Sequence, residues 1–401
     1  MLDLLSVAGQ LRRMRSDLAR LDDERGPRLE AAASAWRQAV ALGPALRDRV
    51  LKARTSWLVA EPLEELRAYD VVPPGSYRVA ASDGSQVFPD RHEMAQCFLV
   101  NVGLVQIDYR AYAAAMTSAP TLCWLPADVY PLVGGMRQEA DGRVVAARRF
   151  AAECDALTGA AASNDLLLTD GTLLLWWLDP DPDRLRALPP DDVKSRTLAS
   201  LNAMTAASRD AGSVPVGYLS APRSTDVVSM LKVVLCTEEP VDCDRCPYTS
   251  GKKAWGSRPA QTDALRMLPA PERPCEEVET IADAALFARL LHPGQRSGRF
   301  RSSAQVAQAY EAPIDFVYLH TGAEIARLEF PAWVTPDGLD SMCGMVADQC
   351  DKGLGYPVAL AEAHEQGVVR GNDRRAFQDL LRRQGAGPVS AKLSRKRLSV
   401  L

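Results

Sequence analysis

Tyr77-Arg78-Val79-Ala80-Ala81-Ser82-Asp83-Gly84-Ser85-Gln86 alternates like a strand as far as Ala81, then carries an acid, a glycine and a serine, the residues of a turn. Asp165-Leu166-Leu167-Leu168-Thr169-Asp170-Gly171 repeats the plan: a short apolar run that ends on Asp and then Gly. Helical spacing returns around these stretches. Val144–Leu157 sets Phe150, Cys154 and Leu157 on one face, and Val193–Arg209 also reads as a helix. Cys97–Tyr109 predicts a second buried strand or hairpin. Val214–Leu219, Ile314–Leu319 and Glu324–Phe330 predict further strands. Gly338–Gln349 and Pro357–Val369 predict helices. Strands alternating with helices indicate the α/β class.

Upstream, Leu5, Leu11, Met14, Leu18 and Leu21 fall at helical spacing, Gly26-Pro27 is expected to break the chain, and an Ala- and Arg-rich helix follows. Val72-Pro73-Pro74-Gly75 marks a boundary. Residues 1–72 are therefore read as an N-terminal helical arm, either a brace, dimerisation or partner-binding arm, or an extension packed on its own core. Residues 73–370 form the core, interrupted at about 236–275 by a polar, Pro-rich insertion with four cysteines. Residues 371–401 are a basic C-terminal helix and tail. From Arg370 to the end there are nine Lys or Arg and two Asp or Glu. Lys392, Arg395, Lys396 and Arg397 suit DNA phosphates or an acidic partner surface, or form a solvated end.

The 401 residues suffice for one elaborated domain or two, with ordinary apolar (47%) and charged (24%) content. A net charge of −4 neither announces nor excludes nucleic-acid binding, because the placement of charge decides. No charged segment followed by an apolar run opens the chain, and no window reaches the length of a membrane span. The nine cysteines, an odd number, are expected to be reduced in a cytoplasmic protein.

Asp83 and Asp170 are both expected at strand ends, the rim where α/β sheets bind ligands. Two such carboxylates suit a hard divalent cation, Mn²⁺ or Mg²⁺. Glu153, on the expected inner face of its helix, is a third carboxylate, a solvated charge or an i,i+4 partner of Arg149. In Gly355-Tyr356-Pro357-Val358-Ala359-Leu360-Ala361-Glu362-Ala363-His364, Pro357 fits the first helical position and sets Tyr356 at the helix entrance. His364 then lies about 10 Å further along the axis, as a metal ligand, a general acid or base, or a packed core residue. Cys236, Cys243, Cys246 and Cys275 have the make-up of a four-thiolate site for Zn²⁺ or an iron–sulfur cluster, or are free thiols of a surface loop.

The order Asp83-Gly-Ser, Glu153, Asp170-Gly, Tyr356-Pro and Ala363-His364 resembles the NurA nuclease family over roughly Tyr77 to Val369. The resemblance implies a ribonuclease-H-like mixed sheet flanked by helices. It implies Mn²⁺-dependent DNA cleavage, as a 5′→3′ exonuclease and single-strand endonuclease, by a homodimer that works with a HerA-type hexameric ATPase in resecting double-strand breaks. It makes Asp83, Glu153, Asp170 and His364 the metal set and Tyr356 a positioning residue. Arg223, where the family often has Lys, becomes a phosphate-neutralising residue. An RNA-processing or structure-specific nuclease on the same fold, and a non-catalytic partner of a DNA translocase, are the alternatives.

Overall fold

Residues 3–55, 57–88, 97–133, 136–178, 191–243, 246, 274–304 and 309–384 are described in the computed structural model. Its decisive strand, β1 (Arg78–Val87), does not turn at Asp83. Asp83, Gly84 and Ser85 pair with Gly103, Val102 and Asn101 of antiparallel β2 (Phe98–Asp108). Pairing along the whole of β2 overrides the turn preference of Asp-Gly-Ser, as context often does in sheets.

The chain divides into two units. The first comprises Met1–Asp70, Ser220–Ala304 and Asp315–Arg327; the second comprises Val71–Leu219, Gln305–Ile314 and Leu328–Leu401.

In the second unit β2 continues antiparallel into the edge strand β3 (Ala113–Cys123). On the other side β1 runs parallel to β4 (Leu166–Asp170), and β4 parallel to β5 (Val214–Leu219). The order is therefore β3-β2-β1-β4-β5, with β2 alone reversed, which is the ribonuclease-H-like arrangement expected. Helices cover both faces. The helix α1 (Gly142–Ala160) is N-capped by Asp141, whose side chain accepts from Arg143 and Val144 N–H. Val144, Val145 and Ala147 of α1 pack with Phe98, Val100 and Val102 of β2 and with Val193 of α2 (Asp191–Ala211). The opposite face carries α3 (Pro336–Lys352) and α4 (Val358–Gly367), and α5 (Gly371–Arg383) follows. Gln349 ties α3 to this face, donating to the Tyr77 and Tyr109 hydroxyls while its Oε1 accepts from Ala359 N–H. Pro357 is the N-cap of α4 rather than its first residue.

In the first unit a helix runs unbroken from Leu4 to Leu42 with Pro27 inside it, so the expected break at Gly26-Pro27 does not occur. A proline inside a helix costs about 3 kcal/mol. Ala32, Ala35, Trp36 and Ala39, all buried just beyond it, offset that cost. Leu4, Leu5, Leu11 and Met14, ahead of it, are exposed. After a second helix (Pro44–Lys52), strand Ala60–Pro62 pairs antiparallel with Phe300–Ser302. Helices Asp226–Leu235 and Asp283–Leu290 complete the unit. Its core is aromatic, with Phe287 stacked on Tyr318 at 4.6 Å and edge-on to Trp36 at 5.6 Å. Residues 244–245 and 247–273 of the expected insertion, and the tail from 385, lie outside the described residues. Among the described residues no helix is long and apolar enough to cross a membrane.

Candidate active site

Side chains of β1 alternate between the two helical layers. Ser82 Oγ donates to Glu153 O on α1, whereas Ser85 Oγ donates to Gly367 O at the end of α4. Asp83 shares the α4 face, and its Oδ2 lies 2.7 Å from His364 Nδ1. The fit of α4 depends on two glycines. A Cβ at Gly103 would stand 2.3 Å from Ala363 O, and one at Gly367 would stand 2.5 Å from Asp83 O. Asn101 Nδ2 adds a 2.9 Å bond to Gly367 O, so the helix end that carries His364 is fastened to two strands.

Asp170 ends β4 immediately beside this point, since Thr169 pairs with Ser82 and Asp170 with Tyr218. Desolvation and the charge of Asp83 raise its pKa, and a hydrogen bond from the Tyr356 hydroxyl lowers it. The Tyr356 ring packs edge-on against Tyr218 at 5.4 Å. Beyond Gly171, buried Glu329 accepts from Thr172 Oγ1 at 2.7 Å and from Leu173 N–H at 2.8 Å. Tyr310 OH bridges Leu173 O and Leu175 N–H.

Glu153 reaches the same point from the opposite layer, through Gly84. A Cβ there would meet Glu153 Oε1 at 2.7 Å and Arg149 Cγ at 2.9 Å. The glycine serves a close approach rather than the expected turn. Glu153 is 3% exposed, and its Oε1 has no hydrogen-bond partner. Burial pushes its pKa up to about 8; Asp83 and Asp170 add to the rise, while Arg149 and the Gly84 N–H oppose it. Nη1 of Arg149 donates to Gly84 O at 2.8 Å and stands 3.5 Å from Glu153 Oε1 and 3.8 Å from Asp83 Oδ1.

Five of the six expected residues, Asp83, Glu153, Asp170, Tyr356 and His364, are thus brought together within the second unit. Arg223 belongs to the first unit, exposed in the segment between β5 and helix Asp226–Leu235. Arg149 and Gly84 were missed as parts of the site. The only signal for Arg149 was its position one turn before Glu153.

Three carboxylates of hard oxygen donors, one with an orphaned buried oxygen, fit a hard divalent cation in charge and chemistry. Among the described residues, however, no three His, Cys, Asp or Glu form a closed group around a cation as they stand. Here the Arg149 guanidinium bridges two of the three acids. Cys236 caps helix Asp226–Leu235, Cys275 lies in the turn Pro274–Glu276, and Cys243 N–H donates to Arg54 O. Burial, then Cys236, Cys246 and Cys275, push the Cys243 thiol up to about 11. The structure lends no support to zinc or an iron–sulfur cluster among these four cysteines.

The family described as NurA domain matches residues 136–369, a stretch that holds Glu153, Asp170, Tyr356 and His364 but not Asp83. Among solved structures, the crystal structure of the NurA nuclease from Sulfolobus solfataricus aligns with a TM-score of 0.54 at 10% identity, covering 96% of this chain and 97% of that one. That likeness is one of fold. A crystal structure of NurA with manganese aligns at a TM-score of 0.37 and 10% identity, over 92% of this chain and 98% of that one. No curated protein matches the sequence.

Proposed function

Since the chain belongs to the NurA domain family, we propose that it is a divalent-cation-dependent DNA nuclease whose cation is held by Asp83, Glu153 and Asp170. The observation that supports this reading is the approach of Glu153 to Asp83 through Gly84, with Asp170 at the end of the adjoining strand. When bound, Mn²⁺ or Mg²⁺ supplies Lewis-acid polarisation of the scissile phosphate and lowers the pKa of a water molecule. Tyr356 holds the Asp170 carboxylate in place through its hydroxyl. His364, oriented by Asp83 and otherwise 60% exposed, moves a proton at its free ring nitrogen or completes the ligand set. Arg223 meets a substrate phosphate. The protein acts as a homodimer beside a HerA-type hexameric ATPase in the cytoplasm, cutting 5′→3′ from ends and within single strands during double-strand-break resection.

The test is cleavage of DNA labelled at either end, with Mn²⁺, by wild type and Asp83→Ala, alone and with the ATPase. Wild type should cut and the variant should not. Absence of cleavage by wild type under every condition would sink the reading. Preference for RNA of the same sequence would move it to an RNA-processing nuclease.

A further inference from the structure

Arg149 differs from three closely paired arginines of this protein. Arg299 and Arg301 hold Asp315 at 2.7 Å each, and Arg327 holds Asp226 at 2.6 Å. Those are lengths of charge-assisted bonds. Arg149 faces two carboxylates, yet its Nη1 stands 3.5 and 3.8 Å from them and spends its one short bond on the Gly84 carbonyl. Its Nε is buried with no hydrogen-bond partner, while the side chain as a whole remains 32% exposed. A guanidinium offers five donors in a planar fork. This one sits at the centre of the acids but is not locked onto any of them.

We propose that Arg149 is an exchangeable counter-ion: it occupies the place between Asp83 and Glu153 in the DNA-free protein and swings onto a phosphodiester oxygen of entering DNA. The inference rests on the nuclease reading. Three facts make the exchange feasible. The stem lies over Gly84, which contributes no side chain of its own there. The side chain is partly open to solvent. A phosphate offers the bidentate geometry that the two carboxylates withhold. The consequence is a coupling. Arg149 and a divalent cation compete for the same two carboxylates, so DNA that draws Arg149 away improves cation binding. By reciprocity, the cation improves DNA binding by the same factor. The site then assembles its full charge only when substrate is present.

The experiment measures Mn²⁺ affinity of the full-length protein by electron paramagnetic resonance, with and without a cleavage-resistant phosphorothioate single strand. In wild type the oligonucleotide should tighten Mn²⁺ binding by about 5- to 150-fold, the usual range of such couplings. Arg149→Met, which keeps the stem and removes the charge, should bind Mn²⁺ at least about fivefold tighter than wild type without DNA and lose most of the DNA effect. Its DNA affinity should fall, with the salt slope reduced by about one. Arg149→Lys, with charge but no fork, should keep part of the coupling and serves if the methionine variant unfolds. A methionine variant with wild-type Mn²⁺ affinity and intact coupling overturns the proposal while leaving the nuclease reading standing. A wild type that binds no Mn²⁺ in either state overturns both.

Discussion

His364 Nδ1 lies 2.7 Å from Asp83 Oδ2, across 281 positions of sequence. The pair joins a buried strand residue to an exposed helix residue, with the aspartate side chain 10% and the histidine 60% accessible. The strand side is further held by the Gly84 N–H, which donates to Asp83 Oδ1 at 2.8 Å. The aspartate is thus anchored by backbone, and the imidazole is aimed by the aspartate.

His364→Ala should therefore cost function and little stability. Loss of a positioned acid or base lowers rates by about 10²–10⁴-fold, whereas removing an exposed ring should change stability by less than about 0.5 kcal/mol. Single-turnover cleavage at saturating Mn²⁺ and thermal unfolding measure the two. A variant that cuts within threefold of wild type would remove His364 from the mechanism.

Gly84→Ala should disrupt the site more than the fold. The added methyl would stand 2.7 Å from Glu153 Oε1, 2.9 Å from Arg149 Cγ and 3.2 Å from Asn101 O. Overpacking of this kind costs about 1–3 kcal/mol. The two side chains can yield more easily than the backbone oxygen, so Glu153 and Arg149 should move away from Asp83. Cleavage should fall at least tenfold at a temperature where the variant is still folded by circular dichroism. Wild-type activity with reduced stability would show that Glu153 need not reach through this position.

The strands β1, β4 and β5 were legible because apolar runs of strand length end at acids, glycines or polar residues. The edge strand β3 was not. Its Ala, Thr, Ser and Pro residues show no period of two, and almost every one is exposed. Pro120 opposite Asn101 is admissible because, among the described residues, no strand pairs on the outer side of this edge. The carboxylates were legible as residue types but not in their setting. Asp83 was placed at a turn that the pairing with β2 straightens. Glu153 was legible as a third carboxylate or an i,i+4 partner of Arg149, but its route to Asp83 was not, because helical spacing reveals a face but not the glycine gap opposite it. The first unit is drawn from three stretches of chain, and nothing local in Ser220–Ala304 or Asp315–Arg327 joins them to Met1–Asp70.

Asp283 supplies a pH dependence away from the site. It is fully buried at the start of its helix and accepts from Val227 and Val228 N–H and from Tyr318 OH. Burial, with the nearby charge of Asp226, raises its folded pKa to about 7. An unfolded aspartate titrates near 3.9, so between about pH 4 and 7 the folded state holds a proton that the unfolded state has lost. This contribution to stability is therefore present in acid and lost as pH rises through about 7, with a slope of at most about 1.4 kcal/mol per pH unit. Melting temperatures of wild type and Asp283→Asn from pH 5 to 8 test the sign. The wild type should lose stability relative to the variant as pH rises, and a gain would refute the assignment.

Glu329 should act on the site at one remove. Its buried Oε2 accepts from Thr172 Oγ1, Leu173 N–H and, at 3.3 Å, Leu174 N–H, just beyond Asp170-Gly171. Alanine there would orphan one buried backbone donor, Leu173 N–H, at about 1–3 kcal/mol, whereas Leu174 N–H also donates to Thr172 Oγ1 at 2.9 Å. It would also free the segment that fixes the end of β4. Glutamine keeps an oxygen for the N–H groups and so should restore most of the stability. If Glu329 orients Asp170, Glu329→Ala should weaken Mn²⁺ binding by about 10- to 100-fold, the usual cost of removing a residue that supports a metal ligand. Glu329→Gln should stay within about tenfold of wild type. Calorimetric titration of Mn²⁺ into each variant at a temperature where both are folded separates the two effects. Equal Mn²⁺ affinity in all three proteins would confine Glu329 to stability, because a purely structural prop changes the melting temperature without changing what the folded site binds.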